Sequence, residues 1–235
     1  MSLYVLGDLH LSLGGDKPMD IFKGWGGHVE KITENWNSMV EDGDTVVVNG
    51  DISWSMSLEN TEADFEYINN SLKGNKIFIK GNHDYWWTTK SKMDAFLSEK
   101  GFDTIKILNN NAFLAEGVSI CGTRGWINDD SEEFDVKLLN REAGRLEMSL
   151  AEGVKLGGEL AVFIHYPPIF GGEKNSYILD VLKKYNVRHC YYGHVHGGAV
   201  RKAFTGEYEG TEFHIASCDC VKFTPVLVEA SKKPL

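Results

Sequence analysis

Positive charge is in short supply in this chain. Its 235 residues carry 24 Lys and Arg against 34 Asp and Glu, a formal charge of −10 at pH 7. That balance gives no general attraction for nucleic acid, and no run of Lys or Arg announces a local basic groove. Cysteine is scarce too, with four residues: Cys121, Cys190, Cys218 and Cys220. Cys121 and Cys190 sit in apolar strand-like runs and read as small core residues. Cys218-Asp219-Cys220 admits a redox pair, a soft metal site or a plain strand end in a reducing compartment, and the last reading is preferred. The spacing excludes a four-cysteine zinc ribbon. No apolar window approaches the length of a membrane-spanning helix. The first apolar run begins near Leu3, which leaves no room for a signal peptide before Asp8. There is no internal repeat, low-complexity tract or splitting linker. The expectation is one domain over residues 1–235, soluble and cytoplasmic, with 42% hydrophobic residues to build a core.

What is present is a set of five short apolar runs, each ending in potential metal ligands. Leu3 to Gly7 runs into Asp8 and His10. Val46 to Gly50 runs into Asp51. Ile77 to Gly81 runs into Asn82, His83 and Asp84. Val162 to Ile164 runs into His165, and Cys190 to Gly193 into His194 and His196. Such runs read as buried strands of a largely parallel sheet. Polar groups in α/β sheets gather at the carboxyl ends of strands, so five segments can deliver their ligands to one rim. Aspartate, asparagine and histidine together make an oxygen-and-nitrogen set suited to two divalent metals.

Between these runs lie helix patterns. Val29, Ile32, Trp36, Met39 and Val40 predict an amphipathic helix over His28 to Val40. Leu58, Phe65, Ile68 and Leu72 mark a second. Met93, Phe96 and Leu97 mark a third, ended near Gly101. Short strands follow at about 104–108, 112–115 and 118–122, with turn signals between them. A charged helix over Ser131 to Glu152 has Phe134, Leu138, Leu146 and Leu150 as anchors. A strand near 160–164, a helix near 177–185 and a strand near 188–192 come next. The last third changes character. Ala199–Phe204, Glu212–Ala216 and Val226–Glu229 read as antiparallel strands, which suggests two stacked sheets flanked by helices.

Each motif is weak alone. Gly7-Asp8-Leu9-His10 and Asn49-Gly50-Asp51 are ordinary turn chemistry. In extended backbone, residues two apart face the same side, so Asp8 with His10, and His194 with His196, can share an ion. Gly81-Asn82-His83-Asp84 is sharper. The conjunction changes the odds, because five of the eight histidines fall at strand ends beside Asp8, Asp51 and Asn82. His28, His189 and His214 lie outside the pattern and read as structural or solvated.

This ordered set resembles the calcineurin-like metallophosphoesterase superfamily, with every signature block in order from residue 8 to residue 196. The resemblance implies an α/β fold, a four-layer α/β/β/α sandwich of two stacked mixed sheets with the metal site at strand carboxyl ends. It implies two divalent or mixed-valence ions. Asp8, His10 and His196 would hold the first, and Asn82, His165 and His194 the second, with Asp51 bridging. Manganese, iron, zinc, cobalt and nickel all suit these donors, with manganese or iron preferred. Two ions roughly 3.5–4 Å apart clamp an in-line displacement and acidify a shared water. The expected reaction is attack of that hydroxide on a phosphodiester or phosphomonoester. His83 would donate a proton to the leaving oxygen or stabilise its charge by a hydrogen bond, oriented by Asp84.

Departures from family patterns narrow the reading. Purple acid phosphatases place a metal-binding tyrosine where Trp54 stands, and an indole cannot replace a phenolate. Phosphoprotein phosphatases have an arginine after the Gly-Asp block and a glutamate where Asp84 stands, and this chain has neither. Trp54, Tyr85, Trp86, Trp87 and Tyr166 crowd the expected site. Trp86 and Trp87 either stack a base or apolar substrate group, or pack the sheet-to-helix seam. Arg124 either reaches a substrate phosphate or lies free on the surface. The expected partner is a small phosphoester, with nucleic acid disfavoured except as a nucleotide-like substrate. The alternatives are an inactive scaffold of the same fold, against which the intact ligand set argues, and a nuclease, disfavoured by the acidic balance.

Overall fold

Alternate residues of the first strand face two different cores, and the whole architecture follows from that alternation. The computed structural model describes residues 1–126 and 136–229. In chain order the elements are β1 (Leu3–Val5), α1 (His28–Met39), β2 (Thr45–Val48), α2 (Glu62–Ser71), β3 (Asn75–Phe78), α3 (Lys90–Lys100), β4 (Ile105–Ile107), β5 (Phe113–Ala115), β6 (Val118–Thr123), α4 (Val136–Leu156), β7 (Glu159–Ile164), β8 (Ile169–Phe170), β9 (Glu173–Lys174), α5 (Ser176–Lys184), β10 (His189–Tyr192), β11 (Gly206–Tyr208), β12 (Thr211–Ile215) and β13 (Val226–Leu227).

One sheet has the order β13-β1-β2-β3-β4, and the other β11-β12-β10-β7-β6-β5. Both are mixed. The inner pairs are parallel, and antiparallel strands lie only at the edges: β13 in the first sheet, β11 and β5 in the second. Three apolar cores separate four layers. Leu3, Val5, Val47, Ile77 and Ile79 from the first sheet meet Ile120, Ala161, Phe163 and Tyr191 from the second. The opposite face of the first sheet, with Tyr4, Val46, Val48 and Phe78, packs on Ile32, Trp36, Phe65, Ile68 and Met93 of α1, α2 and α3. The outer face of the second sheet, with Cys121, Val162, Ile164 and Cys190, packs on Leu146, Leu150, Ile178 and Leu182 of α4 and α5. A strand buried on both faces is mostly apolar, which is why these runs do not alternate regularly with polar residues, although Lys76 in β3 and Ser119 in β6 are buried. Each fully buried Val, Ile or Phe contributes about 1.5–3 kcal/mol.

Local chemistry sets the helix limits. Gly101 takes a left-handed conformation (φ 69°) after α3, and its N–H returns to the carbonyl of Leu97. Asn175 caps α5 by accepting the N–H of Ile178 at 3.2 Å. Trp36 ties α1 to the turn after α2 by donating its indole N–H to the carbonyl of Lys73 at 2.9 Å.

The structure corrects three expectations. Residues 199–204 do not form a strand, because Gly197–Lys202 is a 3-10 helix. β12 is antiparallel only to β11 and runs parallel to β10 on its other side, while β13 returns to the first sheet. In α4 the buried anchor is Leu139, with Leu138 only half-buried, a shift of one residue that rotates the helix face by about 100°. Phe134 lies outside the described residues. No helix among the described residues is long and apolar enough to cross a membrane.

Candidate metal centre

The two sheets touch at the rim where β1, β2, β7 and β10 end. Gly7 N–H donates to the carbonyl of Ala216, beyond β12, and the Asn49 side chain donates to the carbonyl of Tyr191. The first sheet delivers Asp8, His10, Asp51 and Asn82 to this seam, and the second delivers His165, His194 and His196. Two clusters result: Asp8, His10 and His196, and Asp51, His165 and His194. Asp51 Oδ2 lies between them, 3.7 Å from His10 Nε2 and 3.5 Å from His165 Nε2. His196 Nε2 is 3.4 Å from His10 Nε2 and 3.3 Å from Asp8 Oδ1. Asn82 Oδ1 is 2.7 Å from His165 Nε2 and 2.9 Å from His194 Nδ1. All seven residues expected as ligands therefore converge.

The backbone is bent to place them. Asp8, His10, Asp51 and His194 all have positive φ, between 47° and 70°. Each such residue costs of order 1–3 kcal/mol, a cost that clusters at functional sites. Gly193 permits the close approach of β10 to β1, since a Cβ there would lie 2.6 Å from Asp8 Oδ2. With that approach, the His194 N–H donates to both Asp8 oxygens at 3.0 and 3.1 Å.

A cation fits this donor set. His165 Nδ1 lies 2.9 Å from the carbonyl of Asn49, so its proton belongs there and Nε2 presents a bare lone pair. That lone pair faces Asn82 Oδ1, another acceptor. Two acceptors held at 2.7 Å repel unless positive charge lies near both. Burial lowers the pKa of His10 and of His194 to about 3, with His165 adding to the effect at His194, so both rings are neutral as ligands must be. Burial also lowers His165. Burial resists the ionisation of Asp8, but His196, His165 and His10 outweigh it and hold its carboxyl well below the usual range. In the polypeptide alone, burial and then the charge of Asp8 push Asp51 up to about 8. Burial opposes protonation of His196, yet Asp8 and Asp219 raise it to about 10.

Not every expected residue has its expected place. His83 does line the centre, with Nε2 4.0 Å from Asp51 Oδ2 and its ring 4.3 Å from that of Trp54. Burial and the nearby His165 lower its pKa to about 4. Asp84 does not orient His83. Its carboxylate is fully buried and accepts the backbone N–H groups of Asp51, Ile52, Ser53 and Gly81 at 2.7–3.3 Å. It clamps the Asp51 loop to the Asn82 loop instead. Trp86 is not exposed to a substrate. It is 2% exposed, donates its indole N–H to Asp84 at 3.1 Å and packs edge-on to Phe65. Arg124 lies at the rim with its guanidinium over the Trp126 ring, 4.8 Å from the centroid. The third histidine group, His189, Glu212 and His214, is at the opposite end of β10 from His194.

Two positioning residues escaped the sequence reading. Asp219 Oδ1 accepts from His196 Nδ1 at 2.7 Å, and its Oδ2 accepts the Gly197 N–H at 2.9 Å. Asn49 supplies the carbonyl for His165. Histidine ligands almost always hand their second nitrogen to such a partner, but no spacing rule says where it sits in the chain. The flanking Cys218 and Cys220 are free thiols bonded to the carbonyls of Asp8 and Val195, and burial raises both pKa values.

The sequence matches the calcineurin-like phosphoesterase family over residues 1–198. The chain belongs to that family. The matched span holds all seven converging donors and His83, and stops before Asp219. Two solved structures share the fold. One is a protein of unknown function from Aquifex aeolicus (AQ665), 19% identical, covering 96% of this chain and 95% of that one, TM-score 0.52. The other is TT1561 of Thermus thermophilus, 10% identical, covering 97% and 98%, TM-score 0.60. No curated protein matches the chain. Family and clusters together support a metal-dependent phosphoesterase.

Proposed function

We propose that this protein hydrolyses a small phosphodiester or phosphomonoester at a dinuclear metal centre. The observation that carries the reading is the position of Asp51. Its carboxylate stands within 3.7 Å of ligand nitrogens from both clusters, where one residue can serve two ions. Asp8, His10 and His196 would hold one ion, and Asn82, His165 and His194 the other. When bound, divalent ions supply Lewis acidity toward phosphate oxygens and an activated water.

The remaining work falls to this chain's own groups. His83 turns Nε2 toward the centre and Nδ1 toward the Tyr85 hydroxyl, 3.5 Å away. From Nε2 it can give a proton to the leaving oxygen. A bound phosphoester favours the protonated ring, offsetting the burial that otherwise keeps it neutral. Trp54 lies against both rings, stacked on His10 at 5.0 Å and tilted against His83 at 4.3 Å between centroids, and so restrains them. Asp84 holds the Asp51 and Asn82 loops in register, and Asp219 fixes His196.

The test combines metal analysis with turnover. Protein reconstituted with manganese, iron, zinc, cobalt or nickel should bind close to two ions per chain. It should hydrolyse bis-p-nitrophenyl phosphate, p-nitrophenyl phosphate or both. Two bound ions with neither ester cleaved under any metal would overturn the reading in favour of a binding scaffold.

A further inference from the structure

Beside the Asn82 and His165 flank of the centre, the rim holds a pocket of about 180 Å³. Lys80, Arg124 and Arg145 line it, together with Thr88, Asn109 and Asn110. Its placement follows from the chain. Lys80 stands two residues before Asn82, and the Arg124 carbonyl accepts the N–H of Tyr166, the residue after His165.

Two carboxylates answer these three cations: Glu142, and Asp84 through its field at Lys80. Glu142 is fully buried, and its Oε1 lies 2.8 Å from Arg145 Nη1 but 4.0 Å from Arg124 Nη2. Its Oε2 is taken by the Thr123 hydroxyl at 3.0 Å. Arg141 approaches the same carboxylate at 3.7 Å. Glu142 is therefore spent on Arg145, Thr123 and Arg141. Arg124 Nε is buried with no hydrogen-bond partner among the described residues. Lys80 makes no hydrogen bond or ion pair among the described residues; burial and the fields of Arg124 and Arg145 disfavour its charge, against the opposing fields of Asp84 and Glu142. A buried donor without a partner and crowded like charges are both unfavourable, and one bound anion relieves both. The surplus of positive charge is all the more specific in a chain of net charge −10.

We propose that Lys80, Arg124 and Arg145 form a subsite for a second phosphate of the substrate, while its scissile phosphoester lies at the metal centre. The inference rests on the phosphoesterase reading and narrows it to esters that carry another phosphate on the same molecule. A guanidinium such as that of Arg124 suits two oxygens of one phosphate, and Lys80 adds a compact charge.

Two esters that differ only in a distal phosphate test it: thymidine 5′-(p-nitrophenyl phosphate) and the same ester bearing a 3′-phosphate. The metal-loaded protein should favour the 3′-phosphorylated ester by about tenfold or more in kcat/KM, chiefly through KM, the scale of a charge-assisted hydrogen bond. Lys80→Met and Arg124→Gln should each remove most of that preference. Lys80→Met is the safer variant, since Lys80 has no hydrogen bond or ion pair to lose among the described residues, and near-UV circular dichroism checks that it is intact. Equal kcat/KM for the two esters in the unaltered protein, or a preference that survives in both variants, overturns the subsite. If neither ester is cleaved, the phosphoesterase reading fails separately. Calorimetric titration of the metal-free protein with inorganic phosphate then decides the pocket. Saturable binding weakened by both variants supports an anion site there, and no binding, or binding unchanged in both variants, overturns it. Phosphate binding in the pocket without any ester preference assigns it to free phosphate and overturns the substrate subsite.

Discussion

His196 Nδ1 and Asp219 Oδ1 stand 2.7 Å apart, joining a residue inside the family's matched span to one beyond it. This contact fixes which nitrogen of His196 faces Asp8. It also anchors the start of the 3-10 helix, because Asp219 takes the Gly197 N–H as well. Asp219→Ala should therefore weaken metal binding by about 10–100-fold, the usual cost of losing such a partner. Competition with a chelator of known affinity measures it. Asp219→Asn keeps an oxygen acceptor and should lose less. Equal metal affinity in wild type and Asp219→Ala would reduce the contact to a surface ion pair.

His83 contacts the centre without belonging to either cluster. His83→Asn should leave metal content unchanged and lower kcat by about 10²–10⁴-fold, the range for a general acid. The loss should grow as the leaving group becomes more basic, because a p-nitrophenolate needs little help. Mass spectrometry for metals and kcat across a series of aryl esters give both numbers. A uniform loss across the series would point to a structural role for His83.

Metal binding should depend on pH through Asp51 and His196. In the metal-free polypeptide Asp51 keeps its proton up to about pH 8, and His196 up to about 10. A metal ion displaces both protons, so affinity must rise with pH and fall as pH drops below 8. Between pH 6 and 8 each displaced proton contributes about tenfold per pH unit. Calorimetry at pH 7 in buffers of different ionisation enthalpy should show between one and two protons released per chain. Zero release would mean that Asp51 is already ionised and His196 already neutral without metal.

Asp84 is a structural clamp, and its removal should be felt in folding before chemistry. Asp84→Ala strands four backbone donors and the Trp86 indole in a buried site. Each unmet donor costs about 1–3 kcal/mol, so the variant should lose at least about 3 kcal/mol in urea unfolding of the metal-free protein. A loss below about 1 kcal/mol would show that water replaces the carboxylate.

Much of the centre is legible in the chain because its donors follow apolar runs directly. Asp8, Asp51, Asn82, His165 and His194 are each fixed by the strand that precedes them. The errors come where neighbours in sequence diverge in space. Asp84 follows His83, yet it turns under the loops while His83 faces the opening. Trp86 looks like a substrate platform from its position after the ligand motif, but its indole N–H is needed by Asp84. Residues 199–204 have strand-like composition, and the contact between Gly197 and Asp219 starts a 3-10 helix there instead.

Patterning along the chain was enough to declare the layers, the strand ends and the ligand chemistry, because burial on two faces and donor type are local properties of a segment. Which sheet lies against which, which carboxylate receives His196, and which cations share a pocket with Arg124 were decided only in three dimensions. Those contacts join residues that no helical or strand period relates. They form because the two sheets pack across Leu3, Ile79, Phe163 and Tyr191, and that packing brings their rims into register.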